Sequence, residues 1–223
     1  MPTIACSQSQ NNVFFTLNGY CTYNECMHGF TLLPDKKTEA KLIHLNQKYF
    51  REPLALDDHT AVPHVTVLQA PIRSGFTATP FLEEFKNSDL LNREPKANLS
   101  SLKYVNDHWL FFEVTNPSWL KQLNELIVHS VSDWIDVDAA PKKTEFRNEA
   151  ERVSYEKTGY RYNLESYSPH FTVGVADKVD ELPAVPELEQ MRVPFRKLAF
   201  CEHGEHGQIV RVLESVNLPF SWD

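Results

Sequence analysis

The chain has 223 residues, of which 42% are hydrophobic and 23% charged, and its net charge is −8. That length suits one large domain or two lobes sharing a core. The acidic balance argues against long duplex nucleic acid as a partner, since such binding needs a broad basic surface to displace counterions. It still allows a small phosphorylated ligand in one local pocket.

No stretch approaches the roughly 18 consecutive apolar residues of a membrane span. The opening MPTIACSQSQ has neither the basic nor the apolar region of a signal peptide, so a cytoplasmic protein with no membrane partner is expected. Four cysteines, Cys6, Cys21, Cys26 and Cys201, are too few for a disulfide scaffold and read as thiols in a reducing compartment.

In chain order, residues 13–17 and 28–33 read as strands. Pro34-Asp35 opens a helix with Leu42, Leu45 and Tyr49 on one face. PHVTVLQAPI is β-branched and strand-like, and Thr79-Pro80 reads as the cap and first turn of a helix over FLEEFKNSDLL. NLSSLKYV and HWLFFEVT form a hairpin turning at Asn106-Asp107. Pro117 begins a helix whose apolar stripe is Leu120, Leu123, Ile127, Val131 and Trp134. A polar stretch, 136–165, reads as an insertion, and 1–27 as an N-terminal extension. SPHFTVGVA is a further strand, and VPFRKLAFC and QIVRVLESV close the chain as a hairpin around HGEHG.

One pattern repeats. PHVTVL at 63–68 returns as PHFTVG at 169–174, and each copy sits on a strand. Side chains alternate along a strand, so His64 and Thr66 share one face, as do His170 and Thr172. If the two strands lie side by side, two imidazoles and two hydroxyls converge. Two histidines across a phosphate suffice for general acid–base cleavage of a phosphodiester, with Thr hydroxyls bonding the non-bridging oxygens and no metal or cofactor required. One His-x-Thr alone would read as packing. The pairing, with the same Pro and Val neighbours, carries the functional reading.

These motifs resemble the signature of the 2H phosphoesterase superfamily, which includes 2′-5′ RNA ligase-like proteins and cyclic phosphodiesterases. GFTLLPDKKTEAKLIHLNQKYF is similar to the family's first strand and helix, and VPFRKLAFCEHGEHGQIVRVLESVNL to its last hairpin; the likeness covers residues 28–218. It implies a single α+β unit over 1–223: a bilobal, duplicated fold with antiparallel sheets lining a central groove and helices packed outside. It implies a catalytic set of His64, Thr66, His170 and Thr172. Tyr167 matches an aromatic seen in relatives, read either as a substrate contact or as strand-entry packing. A small nucleotide or RNA-end substrate and a monomeric state are expected.

Other readings compete. Cys21, Cys26 and His28 near one strand end, with Cys201, His203 and His206 near another, could in principle make a mixed zinc site, but the spacing is poor and HGEHG reads more simply as a turn. A non-catalytic module binding a nucleotide or RNA end, or a 2′-5′ RNA ligase, would use the same groove. The basic-rich segment 142–161 is either a solvated loop or short helix, or a flap whose Arg152, Lys157 and Arg161 grip further phosphates.

Overall fold

The computed structural model describes residues 14–16, 19–21, 27–49, 62–92, 95–105, 109–115, 117–142, 145–175, 184–188, 191–204 and 207–219. Strands β1 (Phe14–Thr16) and β2 (Gly19–Cys21) pair as a small antiparallel sheet of their own. The main sheet comprises β3 (Met27–Pro34), β4 (Val65–Ala70), β5 (Lys96–Val105), β6 (Trp109–Val114), β7 (His170–Val175), β8 (Arg192–His203) and β9 (Ile209–Asn217). Its order is β4-β3-β8-β5-β6-β7, with β9 also against β8, and every pairing is antiparallel. Four helices accompany it: α1 (Lys36–Tyr49), α2 (Thr79–Lys86), α3 (Ser118–Ser130) and α4 (Glu149–Thr158). The fold is α+β.

Strand β8 joins the two halves of the sheet. Its first residues, Arg192 to Pro194, pair with β5, whereas Phe195 to His203 pair with β3. A single apolar core follows it across both halves. Phe30 meets Phe85 edge-on, with centroids 5.5 Å apart, on one side; Phe171 stacks on Phe195 at 6.1 Å on the other. All four rings are fully buried, so rings with large apolar area hold the halves to a common strand.

This order leaves β4 and β7, the motif strands, at the two ends of the strand path, and they contact each other. An end strand has a row of unpaired backbone groups, and burying these unmet is costly. Side-chain donors meet them here. Tyr167 Oη donates to the Thr66 carbonyl at 2.9 Å, Asn124 Nδ2 to Val67 at 2.5 Å, and Asn163 Nδ2 to Gln69 at 2.9 Å. On β7, the Val173 carbonyl accepts from the Asn46 amide of α1. The Asn124 Oδ1 also accepts from the Leu164 backbone N–H at 2.8 Å, holding Leu164 at φ +53°, a left-handed conformation that non-glycine residues avoid.

Several boundaries differ from the sequence reading. Thr79 is the first residue of α2 rather than its cap, because its hydroxyl bonds Glu214 of β9 instead of its own helix, and α2 ends at Lys86. Helix α3 stops at Ser130, so Trp134 leaves the stripe for a following 3₁₀ turn and is 36% exposed. The polar stretch contains α4, capped by the Asn148 side chain on the Glu151 N–H at 2.9 Å and closed by Gly159 at φ +68°. A Cβ at Gly159 would also lie 2.8 Å from Ala140 Cβ, so both space and backbone call for glycine there. The turn at Asn106-Asp107, most of 1–27 and most of the Pro-broken stretch 177–192 lie outside the described residues.

Candidate active site

His64 immediately precedes β4 and His170 is the first residue of β7, both entered through buried prolines, Pro63 and Pro169. Proline suits this place because no ladder N–H is lost at strand entry. Each imidazole is then oriented in the same way. His64 Nδ1 lies 2.7 Å from the Val62 carbonyl, and His170 Nδ1 lies 2.7 Å from the Ser168 carbonyl. In both cases the acceptor is two residues upstream. A carbonyl can only accept, so Nδ1 carries a hydrogen and Nε2 is the nitrogen left for chemistry.

The two rings are close enough that a charge on His64 disfavours one on His170. Burial pushes both imidazoles below the usual histidine value, His170 to about 4. For each, the carbonyl bond at Nδ1 acts in the opposite sense, because it favours the protonated ring. Both side chains nevertheless stay partly exposed, as do Thr66 and Thr172 two residues further on. Four polar side chains therefore occupy matching positions at the starts of two neighbouring strands.

Phe111 and Gly207, which the sequence did not single out, and His203, which it named only as a possible zinc ligand, complete the surroundings. Phe111 of β6 stacks on the His170 ring with centroids 3.7 Å apart and planes 17° from parallel. It is there because β6 pairs with β7 so that Phe111 lies opposite Thr172. His203, the last residue of β8, approaches His64 edge-on at 5.9 Å between centroids. The Gly207 carbonyl, from the β8–β9 turn, lies 3.2 Å from His64 Nε2. Strand alternation could have flagged Phe111, but only the register shows which histidine it covers.

Tyr167 is 5% exposed, and its hydroxyl is committed to the Thr66 carbonyl. It occupies the packing position of its two sequence readings and ties the segment before β7 to β4. The strand ends proposed for a mixed zinc site do meet, since His28 lies opposite Glu202 and Gly29 opposite Cys201. Cys26 and His206 are outside the described residues, and among the described residues no three His, Cys, Asp or Glu side chains are grouped to hold a metal. In the 142–161 segment, Arg152 is ion-paired with Glu149 and Glu156 of its own helix, and Arg161 lies over the Tyr162 ring at 4.6 Å. Its described part contains the short helix α4 followed by a turn, the short-helix form of the plain reading, and Arg152 is engaged by carboxylates of that helix. No helix among the described residues is long and apolar enough to cross a membrane.

No family model matches the sequence, and no curated protein matches it. Among solved structures, the crystal structure of TT0787 of Thermus thermophilus is similar in fold, with a TM-score of 0.53 and 17% sequence identity over 86% of this chain and 97% of that one. The chain shares its α+β architecture with that protein over nearly the whole of both.

Proposed function

We propose that the protein is a metal-independent phosphodiesterase of the 2H type, acting on a nucleotide or RNA-end phosphodiester such as a 2′,3′-cyclic phosphate or a 2′-5′ linkage. The observation that carries this reading is the matched pinning of His64 and His170, each through Nδ1 to the carbonyl two residues upstream, on strands that contact each other. Packing alone gives no reason for two imidazoles at matching strand positions each to donate through Nδ1 to the carbonyl two residues upstream.

In the proposed reaction, one Nε2 takes a proton from the attacking water while the other gives a proton to the leaving oxygen. Imidazole suits both roles because it exchanges a proton near neutrality. Thr66 and Thr172 donate to the non-bridging oxygens, where negative charge builds up. Phe111 fixes the His170 ring plane and offers a flat apolar surface beside the phosphate. With proton transfer and charge stabilisation both assigned to side chains, no step is left for a metal.

The test is hydrolysis of 2′,3′-cyclic mononucleotides and 2′-5′-linked dinucleotides with EDTA present and then with added Mg²⁺ or Zn²⁺. Turnover of either substrate in EDTA supports the reading. Binding without turnover would leave a nucleotide-binding module, and activity that requires the added cation would reject the two-histidine mechanism.

A further inference from the structure

The two Pro-His-x-Thr motifs are alike in sequence, yet their histidines do not have equivalent surroundings. The difference comes from His203, which belongs to neither motif. His203 is 1% exposed; its Nε2 lies 3.2 Å from Thr31 Oγ1, and its Nδ1 lies 3.0 Å from the Gly207 carbonyl. The Thr31 hydroxyl is also bonded to the Cys201 thiol, which burial pushes up to about 12 and so keeps protonated.

These groups form a chain with one direction. The Gly207 carbonyl can only accept, so His203 carries its hydrogen on Nδ1 and donates it there, and Nε2 of the neutral ring accepts from the Thr31 hydroxyl. The turn is held in place for this role. Gly207 N–H donates to the Gly204 carbonyl at 3.0 Å, and Gly204 N–H to Gln208 at 2.9 Å. Gly207 has φ +74°, which glycine adopts without strain.

The same Gly207 carbonyl lies 3.2 Å from His64 Nε2, while Val62 accepts at His64 Nδ1. Two acceptors on one ring are satisfied only when both nitrogens carry hydrogen, which is the imidazolium form. His170 has a carbonyl at Nδ1 alone, and its Nε2 has no acceptor among the described residues. Among the described residues, the titratable groups that bear on His64 are few. His170 and His203 face His64, while His28, influenced in turn by Glu202 and Arg211, lies beyond His203. No carboxylate among the described residues bonds His64.

We propose that His203 is a positioning residue: by holding the Gly207 carbonyl against His64 Nε2, it makes His64 the general acid and leaves His170 the general base. This rests on the phosphodiesterase reading above. The oxygen of water bonds to phosphorus as its proton passes to His170 Nε2. The bond from phosphorus to the leaving oxygen breaks as that oxygen takes the proton from His64 Nε2. Water is the only co-reactant, and the resting protonation states return by proton exchange with solvent.

The experiment compares wild type, His203→Asn and His203→Leu. Asparagine keeps an N–H donor where Nδ1 stood, whereas leucine removes it. The His64 pKa is followed by NMR titration of labelled imidazole, and the pH profile of kcat/KM is measured on a cyclic mononucleotide. In His203→Leu the His64 pKa should fall by about one unit, the alkaline limb of the profile should fall with it, and kcat near neutrality should drop about tenfold with KM little changed. His203→Asn should restore all three. If His203→Leu does not fold, Thr31→Val, which removes the hydroxyl that orients His203, should shift His64 in the same direction by less. An unchanged His64 pKa in the folded variants, or His203→Asn as impaired as His203→Leu, would overturn the proposal. Absence of turnover in wild type would instead defeat the functional reading, and the titration would still decide the link between His203 and His64.

Discussion

Tyr167 and Thr66 are joined by a hydrogen bond of 2.9 Å from the Tyr167 hydroxyl to the Thr66 carbonyl. The bond runs from the segment entering β7 to the outer edge of β4, so it fixes the separation of the two His-x-Thr strands. Burial raises the Tyr167 phenol well above its ordinary value, and it acts as a donor at every working pH. Tyr167→Phe leaves a buried carbonyl unmet and should cost about 1–3 kcal/mol of stability, lowering Tm by several degrees. KM for a cyclic mononucleotide should change less than twofold. A large rise in KM with Tm unaltered would show that Tyr167 contacts substrate instead.

Asn163 serves the same edge further along. Its amide donates to the Gln69 carbonyl at 2.9 Å and to Thr158 Oγ1 at 2.8 Å, and it is 1% exposed. Asn163→Asp keeps the shape but sets a carboxylate oxygen against the Gln69 carbonyl. We expect a loss of about 2–4 kcal/mol, read as a lower urea midpoint, because both a donor and its buried acceptor are compromised. Equal midpoints for variant and wild type would mean that this edge is not sealed as described.

These two residues show where sequence reading stops. The alternation of His and Thr in PHVTVL and PHFTVG fixes which side chains share a face, because a strand has only two faces. What seals the outer edge of a strand depends on distant side chains, and Asn124, Asn163 and Tyr167 carry no pattern that points to β4. Helix α4 was legible only as one alternative to a loop, for a related reason. Its buried residues include Glu151, Ser154 and Thr158, held by hydrogen bonds, so it has no apolar stripe to read. Phe111 and His203 depend on the β6–β7 register and on a turn carbonyl, neither of which spacing encodes. The strands bearing the candidate site were legible; the groups that set its two histidines apart were not.

For α4, Asn148→Ala removes the side-chain cap on the Glu151 N–H and should cost about 1 kcal/mol. Arg152→Ala breaks only exposed ion pairs within the helix, so Tm should barely move. It should also leave KM for an oligonucleotide unchanged. A rise in KM for the oligonucleotide but not for a mononucleotide would return Arg152 to a phosphate-gripping role.

Stability should fall on mild acidification. Burial depresses His170 to about 4 and His203 to about 3, and lowers His28 and His64 as well. Between those values and the ordinary histidine value near 6.5, the unfolded chain binds more protons than the folded one. The unfolding free energy therefore rises with pH across this window and is lost as pH drops from about 6.5 towards 4, by a few kcal/mol in all. His203→Asn removes one of these groups and should flatten the slope. Urea titrations at about pH 7 and pH 5 measure it, and equal stabilities at the two values would contradict burial of neutral His170 and His203.

The most direct measurement is kcat/KM for a 2′,3′-cyclic nucleotide in EDTA, with wild type, His64→Ala and His170→Ala, each confirmed folded by its Tm. Each substitution removes one proton transfer and should lower the rate about 10²–10⁴-fold. Thr66→Val and Thr172→Val should lower it less, because each removes one phosphate donor. Near-wild-type turnover by either folded alanine variant would contradict catalysis by the histidine pair.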